Sequence, residues 1–167
     1  MSELSDWLER LGEKIPGYGG YAERERRRDL DKLHREHLAD RLRAAKAPLN
    51  ETMRELSNSG RLMEIGPLDR ALKKLDQIEN RVRFASYGYS GFFDVVKIEQ
   101  PQLEALYGFD LALTQKVEAL EHHARELRTQ ASSADGLKTA AANVEAALDE
   151  LNRTFDERSR SIDSYRA

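Results

Sequence analysis

From Leu103 to Leu127 the seam residues recur at steps of three and four: Leu103, Leu106, Asp110, Leu113, Val117, Leu120, Ala124 and Leu127. One carboxylate stands in an otherwise apolar series. A period near 3.5 residues puts them all on one stripe of an α-helix and contradicts the two-residue alternation of a strand. A stripe of that length needs facing helices to cover it, which restricts the chain to helix-on-helix packing. Three further segments supply the partners. Leu68, Ala71, Leu75, Ile78, Val82 and Ala85 step by three and four, and Leu137, Ala141, Val144, Leu148, Leu151, Phe155 and Ile162 share one side of a last helix. Leu30, Leu33, Leu38, Leu42, Ala45, Leu49, Met53 and Leu56 mark a longer one, with an irregular step between Leu33 and Leu38.

The expected fold is therefore all-α. Residues 1–167 form a single domain, an elongated antiparallel up-down bundle with main helices at 22–57, 67–86, 101–131 and 137–163 and coiled-coil-like arms. A short N-terminal amphipathic helix over 1–15 carries Leu4, Trp7, Leu8, Leu11 and Ile15 and ends at Pro16-Gly17. Pro48 must kink or interrupt the first long helix, because it lacks a backbone donor and crowds the preceding turn. Ser57-Asn-Ser-Gly60 ends that helix, Gly66-Pro67 opens the next, and Ala131 to Gly136 is the expected turn before the last. Val95 to Ile98 is briefly strand-like, with no second strand signal to pair with.

Charge and residue usage exclude whole classes of function. A net charge of -3 gives no global basic field for nucleic acid or anionic lipid. The balance is uneven: residues 1–98 carry 19 basic and 17 acidic groups, and 99–167 carry 8 and 13. A positive first half is thus able to lie against a negative second half. The absence of cysteine removes disulfides, thiolate catalysis and cysteine-based zinc sites. No window approaches the roughly 20 apolar residues that span a bilayer, and no signal peptide is legible at the N-terminus, so the cytoplasm is the expected compartment.

Two segments break the helical pattern. Ile15 to Tyr21 holds three glycines and a proline along with Tyr18 and Tyr21, and Phe84 to Phe93 holds five of the twelve aromatics. If the helices alternate in direction, these segments converge at one tip of the bundle, as a seal for its open end or as an exposed patch for a partner. The candidate tip residues are Tyr18, Tyr21, Phe84, Tyr87, Tyr89, Phe92, Phe93, Asp94 and Asp110. The glycine-rich segment lacks the lysine-serine pair and spacing of a phosphate-binding loop. His34/His37 and His122/His123 match no metal-ligand spacing and read as surface or rim residues. Asp110 stands on the apolar seam, where an unpaired carboxylate is costly, so either an Arg, a Lys or a tyrosine hydroxyl is expected beside it near the tip, or it lies at the seam's exposed edge. No catalytic residue, cofactor or metal ligand is expected.

Ile-Pro-Gly-Tyr-Gly-Gly-Tyr near the N-terminus and Arg-Val-Arg-Phe-Ala-Ser-Tyr-Gly-Tyr-Ser-Gly-Phe-Phe-Asp in mid-chain resemble an uncharacterised group of bacterial all-helical proteins. The resemblance covers most of the chain and implies a helical fold in a bacterial cytosol, with no chemistry attached. Three functions then compete. The first is a non-enzymatic scaffold or adaptor that binds a protein partner or a second copy of itself. The second is a peripheral membrane or stress-response coiled-coil protein using residues 1–15 as a wedge led by Trp7. The third is a metal-binding or enzymatic bundle centred on Asp94 and Asp110. The first ranks highest, because helical periodicity accounts for most residues without a catalytic set.

Overall fold

The computed structural model describes residues 3–15, 27–85 and 100–164, and all regular structure among them is helical. Six α-helices follow in chain order: α1 Glu3–Lys14, α2 Arg27–Ala44, α3 Lys46–Asn58, α4 Gly66–Phe84, α5 Gln100–Gln130 and α6 Ala134–Ser164. A 3₁₀ turn, Leu62–Glu64, precedes α4. At ~1.5 Å per residue the two longest helices each run ~46 Å.

The long helix that the first apolar series announces is two helices. The break falls at Ala45, three residues before Pro48, which sits in the first turn of α3 where its missing N–H costs least. Further on, α3 ends in a left-handed cap. Gly60 has φ 76°, its N–H donates to the Ser57 carbonyl at 3.2 Å, and the Arg61 N–H reaches the Leu56 carbonyl at 2.9 Å. These two bonds satisfy carbonyls that the helix end would otherwise orphan, and glycine adopts the required φ without strain.

Ion pairs give the helix directions. Between α2 and α4, Arg35 meets the Arg83 carbonyl while Arg43 meets Glu79, so the numbers run opposite ways. Between α5 and α6, Asp110 meets Arg158 while Lys116 meets Glu150, again antiparallel. Arg41 against Glu121 and Arg128 against Glu51 set α2 and α3 parallel to α5. Lys74 against Asp149 and Arg81 against Asp156 set α4 parallel to α6. Directions alternate along the chain, while the bundle also contains two parallel neighbour pairs. The cations of Lys14, Arg41, Lys74 and Arg81 fall on acids of the second half, as the uneven charge balance allows. The exposed pairs among these, such as Lys74–Asp149 and Arg81–Asp156, each contribute at most about 1 kcal/mol and set register more than stability.

The core is the seam that the periodicity marks. Leu68, Ala71, Leu75, Ile78 and Val82 of α4 join one buried cluster with Leu113, Val117, Leu120, Ala124 and Leu127 of α5 and the matching stripes of α2, α3 and α6. Each fully buried leucine contributes about 1.5–3 kcal/mol by leaving water. The N-terminal helix docks along α5: Leu11 and Ile15 are fully buried, and the Lys14 ammonium donates to Glu118 at 2.6 Å.

The turn into α6 is tighter than its composition suggests. The last helix starts at Ala134, earlier than residue 137, and takes Gly136 into its first turn. Ser133 Oγ accepts the Gly136 N–H at 3.0 Å as an N-cap. A methyl group on Gly136 would lie 2.5 Å from the Gln130 carbonyl oxygen and 2.7 Å from Ser133 Oγ. Gly136→Ala is therefore expected to destabilise the fold by about 1–3 kcal/mol, because backbone must move to admit it. A thermal melt of that variant with an unchanged midpoint would show that the turn yields freely.

Candidate functional site

Asp110 has the cationic partner that its place on the seam demands. Arg158 of α6 donates from Nε to Asp110 Oδ1 at 2.6 Å, and its Nη2 bonds Asp31 Oδ1 of α2. Asp31 uses its other oxygen to accept from Arg35 Nε at 2.8 Å, one helical turn away. Arg35 Nη1 continues to the carbonyl of Arg83 at 3.1 Å, covering the end of α4. All four side chains are buried, Arg158 to 2 % exposure. Guanidinium suits this position, since its fixed fork bonds two carboxylates at once and keeps its charge at any physiological pH.

His34 completes the cluster, and here expectation and structure part. It is 1 % exposed, neither surface nor rim. His37 and His123 are half-buried and only His122 is exposed. The Thr114 hydroxyl donates to the Asp110 carbonyl at 2.9 Å, so its oxygen is left to accept from His34 Nε2 at 3.0 Å. That fixes the tautomer: Nε2 carries the proton and Nδ1 is a bare lone pair. Nδ1 stands 3.7 Å from Asp110 Oδ1 and has no hydrogen-bond partner among the described residues.

Burial and neighbours set the protonation states. Desolvation disfavours charge on Asp31, yet the Arg158 and Arg35 guanidiniums outweigh it and hold the carboxyl below its ordinary value. Desolvation lowers the pKa of His34, Arg158 adds to this, and Asp110 opposes it without prevailing. The ring is neutral at pH 7. Both carboxylates are engaged by arginine and covered by three helices. Asp110 Oδ1 is thus taken by Arg158. Among the described residues no three His, Asp or Glu side chains converge as a metal site would require.

A second buried acid belongs to the α2–α4 seam. Glu79 accepts from Lys46 Nζ at 2.5 Å and Arg43 Nε at 3.1 Å, with Arg83 Nη2 at 3.4 Å. Burial works against its ionisation, but Lys46 and Arg43 win and its pKa is lowered. It too is spent on structure.

Of the candidate tip residues, Phe84 lies at the end of α4 with 59 % of its surface exposed, and Asp110 lies in the cluster just described. Tyr18, Tyr21, Tyr87, Tyr89, Phe92, Phe93 and Asp94 fall outside the described residues, as does Val95 to Ile98. The expected convergence of the two aromatic segments lies there as well. The helix ends that bound residues 86–99 share the bundle end that holds the Asp31–Arg158 cluster.

The opposite end carries a feature that periodicity did not single out. A groove of about 440 Å³ runs between the starts of α4 and α6. Pro67, Leu137, Ala141 and Ala142 give it an apolar floor. Met63, 95 % exposed, stands at its lip, with Leu62 beside it at 63 %. Large apolar side chains gathered beside a groove mark an interaction site, whereas scattered ones do not. Met and Leu in a three-residue 3₁₀ turn have no helical periodicity to reveal them. The local signal was their position next to Gly66-Pro67, in a connection too short to fold back over them.

No protein-family model, curated protein or solved structure matches this chain.

Proposed function

We propose that this chain is a non-enzymatic helical adaptor that works by protein–protein contact. One observation carries the reading: the exposed Met63, next in sequence to the exposed Leu62, stands at the lip of an apolar groove whose floor is built by two parallel helices. Pre-formed apolar concavities with a polar rim are the usual seats of recognition. The buried acids support it from the other side, since Asp31, Asp110 and Glu79 are each committed to internal cations. The described part of the apolar face of α1 is covered by α5, which speaks against a membrane wedge. No helix among the described residues is long and apolar enough to cross a membrane. We place the adaptor in a bacterial cytoplasm, on the mid-chain resemblance and the absence of cysteine.

A photo-crosslinking amino acid at position 63, activated in the native cell, tests the reading. A discrete covalent product with a polypeptide is the expected outcome. No product at position 63, with folding intact, would remove the groove from function.

A further inference from the structure

We infer that the occupant of the α4–α6 groove is a second copy of this chain, held by a two-fold contact. The inference rests on the adaptor reading and names its partner. Knob and hole lie side by side on the same surface: Met63 projects at the lip, and Pro67, Leu137 and Ala142 line the floor. A two-fold axis through such a patch seats each copy's methionine in the other's groove, which satisfies the self-complementarity that an isologous interface requires. Methionine suits the role, because its unbranched thioether fills irregular apolar space.

The charges around the groove select the same partner. Glu64 is taken by Arg61, and Glu145 lies 3.6 Å from Lys74. Arg70, Lys138 and Asp135 have no ion-pair partner among the described residues. Asp135 and Lys138 are exposed and lie one turn apart at the start of α6. When two such helices meet about a two-fold axis, Asp135 of each copy faces Lys138 of the other, giving two reciprocal pairs. A strongly acidic or strongly basic partner would meet repulsion from one member of each pair, whereas a second copy offers Asp135 and Lys138 each its complement.

Light scattering and sedimentation of the full chain test this. Wild type is expected at twice 19.1 kDa. Met63→Glu and Lys138→Asp are each expected to raise the dimer dissociation constant at least about tenfold, with helical content unchanged because both residues are exposed. Asp135→Lys combined with Lys138→Asp restores the reciprocal pairs and is expected to recover the dimer. A wild-type monomer over the whole soluble concentration range overturns the inference. So does a dimer that survives both single changes. The crosslink at position 63 separates the two readings: a monomer that still crosslinks to a different polypeptide leaves the adaptor role standing and removes self-association.

Discussion

Arg158→Met is expected to lower the free energy of unfolding by about 3–5 kcal/mol, a large part of the 5–15 kcal/mol that holds a domain of this size together. The substitution keeps length and apolar volume, so packing is largely conserved. What it removes is, among the described residues, the only guanidinium that bonds Asp110, leaving that carboxylate facing an unprotonated imidazole nitrogen inside the bundle. Asp31 loses one of its two arginines and keeps Arg35. A buried ion pair need not stabilise relative to an apolar core, but breaking one side of it strands a charge. Asp110→Leu added to Arg158→Met is therefore expected to recover most of the loss, because the stranded group is gone and Asp31 retains Arg35. Urea titrations of the two single variants and the double variant measure the coupling directly. Losses that simply add would show that Asp110 and Arg158 do not act as a pair.

That cluster also shows how far the sequence could be read. The seam of α5 displayed Asp110 plainly, since its phase between Leu106 and Leu113 admits no other face. Its partner is polar as well and so leaves no mark in an apolar series. Leu148, Leu151, Phe155, Arg158 and Ile162 step by three and four without interruption, so Arg158 occupies a seam position as surely as Phe155 does. The irregular step between Leu33 and Leu38 has the same origin. Leu30, His34 and Leu38 keep strict spacing of four and are all buried, whereas Leu33 is only half-buried. A polar residue at a seam position is invisible to hydrophobic periodicity, yet the gap it leaves is a signal. Two gaps on different helices at matching depth point to each other. The groove at the far end leaves no such gap, because Leu137 and Ala141 of its floor already belong to the apolar series and its lip lies in a turn. Only the packing of α4 beside α6, with parallel direction, brings them together.

Acidification is expected to destabilise the fold in two stages, and His34 governs the first. In the unfolded chain this histidine titrates near 6.5, while in the bundle desolvation holds its pKa lower. Between those two values the unfolded chain binds a proton that the folded one refuses. Stability is therefore complete above about pH 6.5 and falls as the pH drops towards the folded value, at about 1.4 kcal/mol for each unit of separation. The groups that face the ring from all three helices are Asp110, Thr114, Arg158, Asp31 and His37, and their opposing charges do not overcome burial. His37, half-buried and pushed lower by desolvation and by Arg41, acts in the same direction. The second stage belongs to the acids. Asp31 titrates near 3.8 when unfolded and lower when folded, and Glu79 behaves likewise from 4.5, so each loses its contribution as the pH falls below those values. His34→Gln separates the stages: the amide keeps the bond to Thr114 and takes no second proton. Thermal melts from neutral pH down to about 5 are expected to drop for wild type and to drop less for the variant. Equal slopes for the two proteins would mean that the first stage arises elsewhere than at His34.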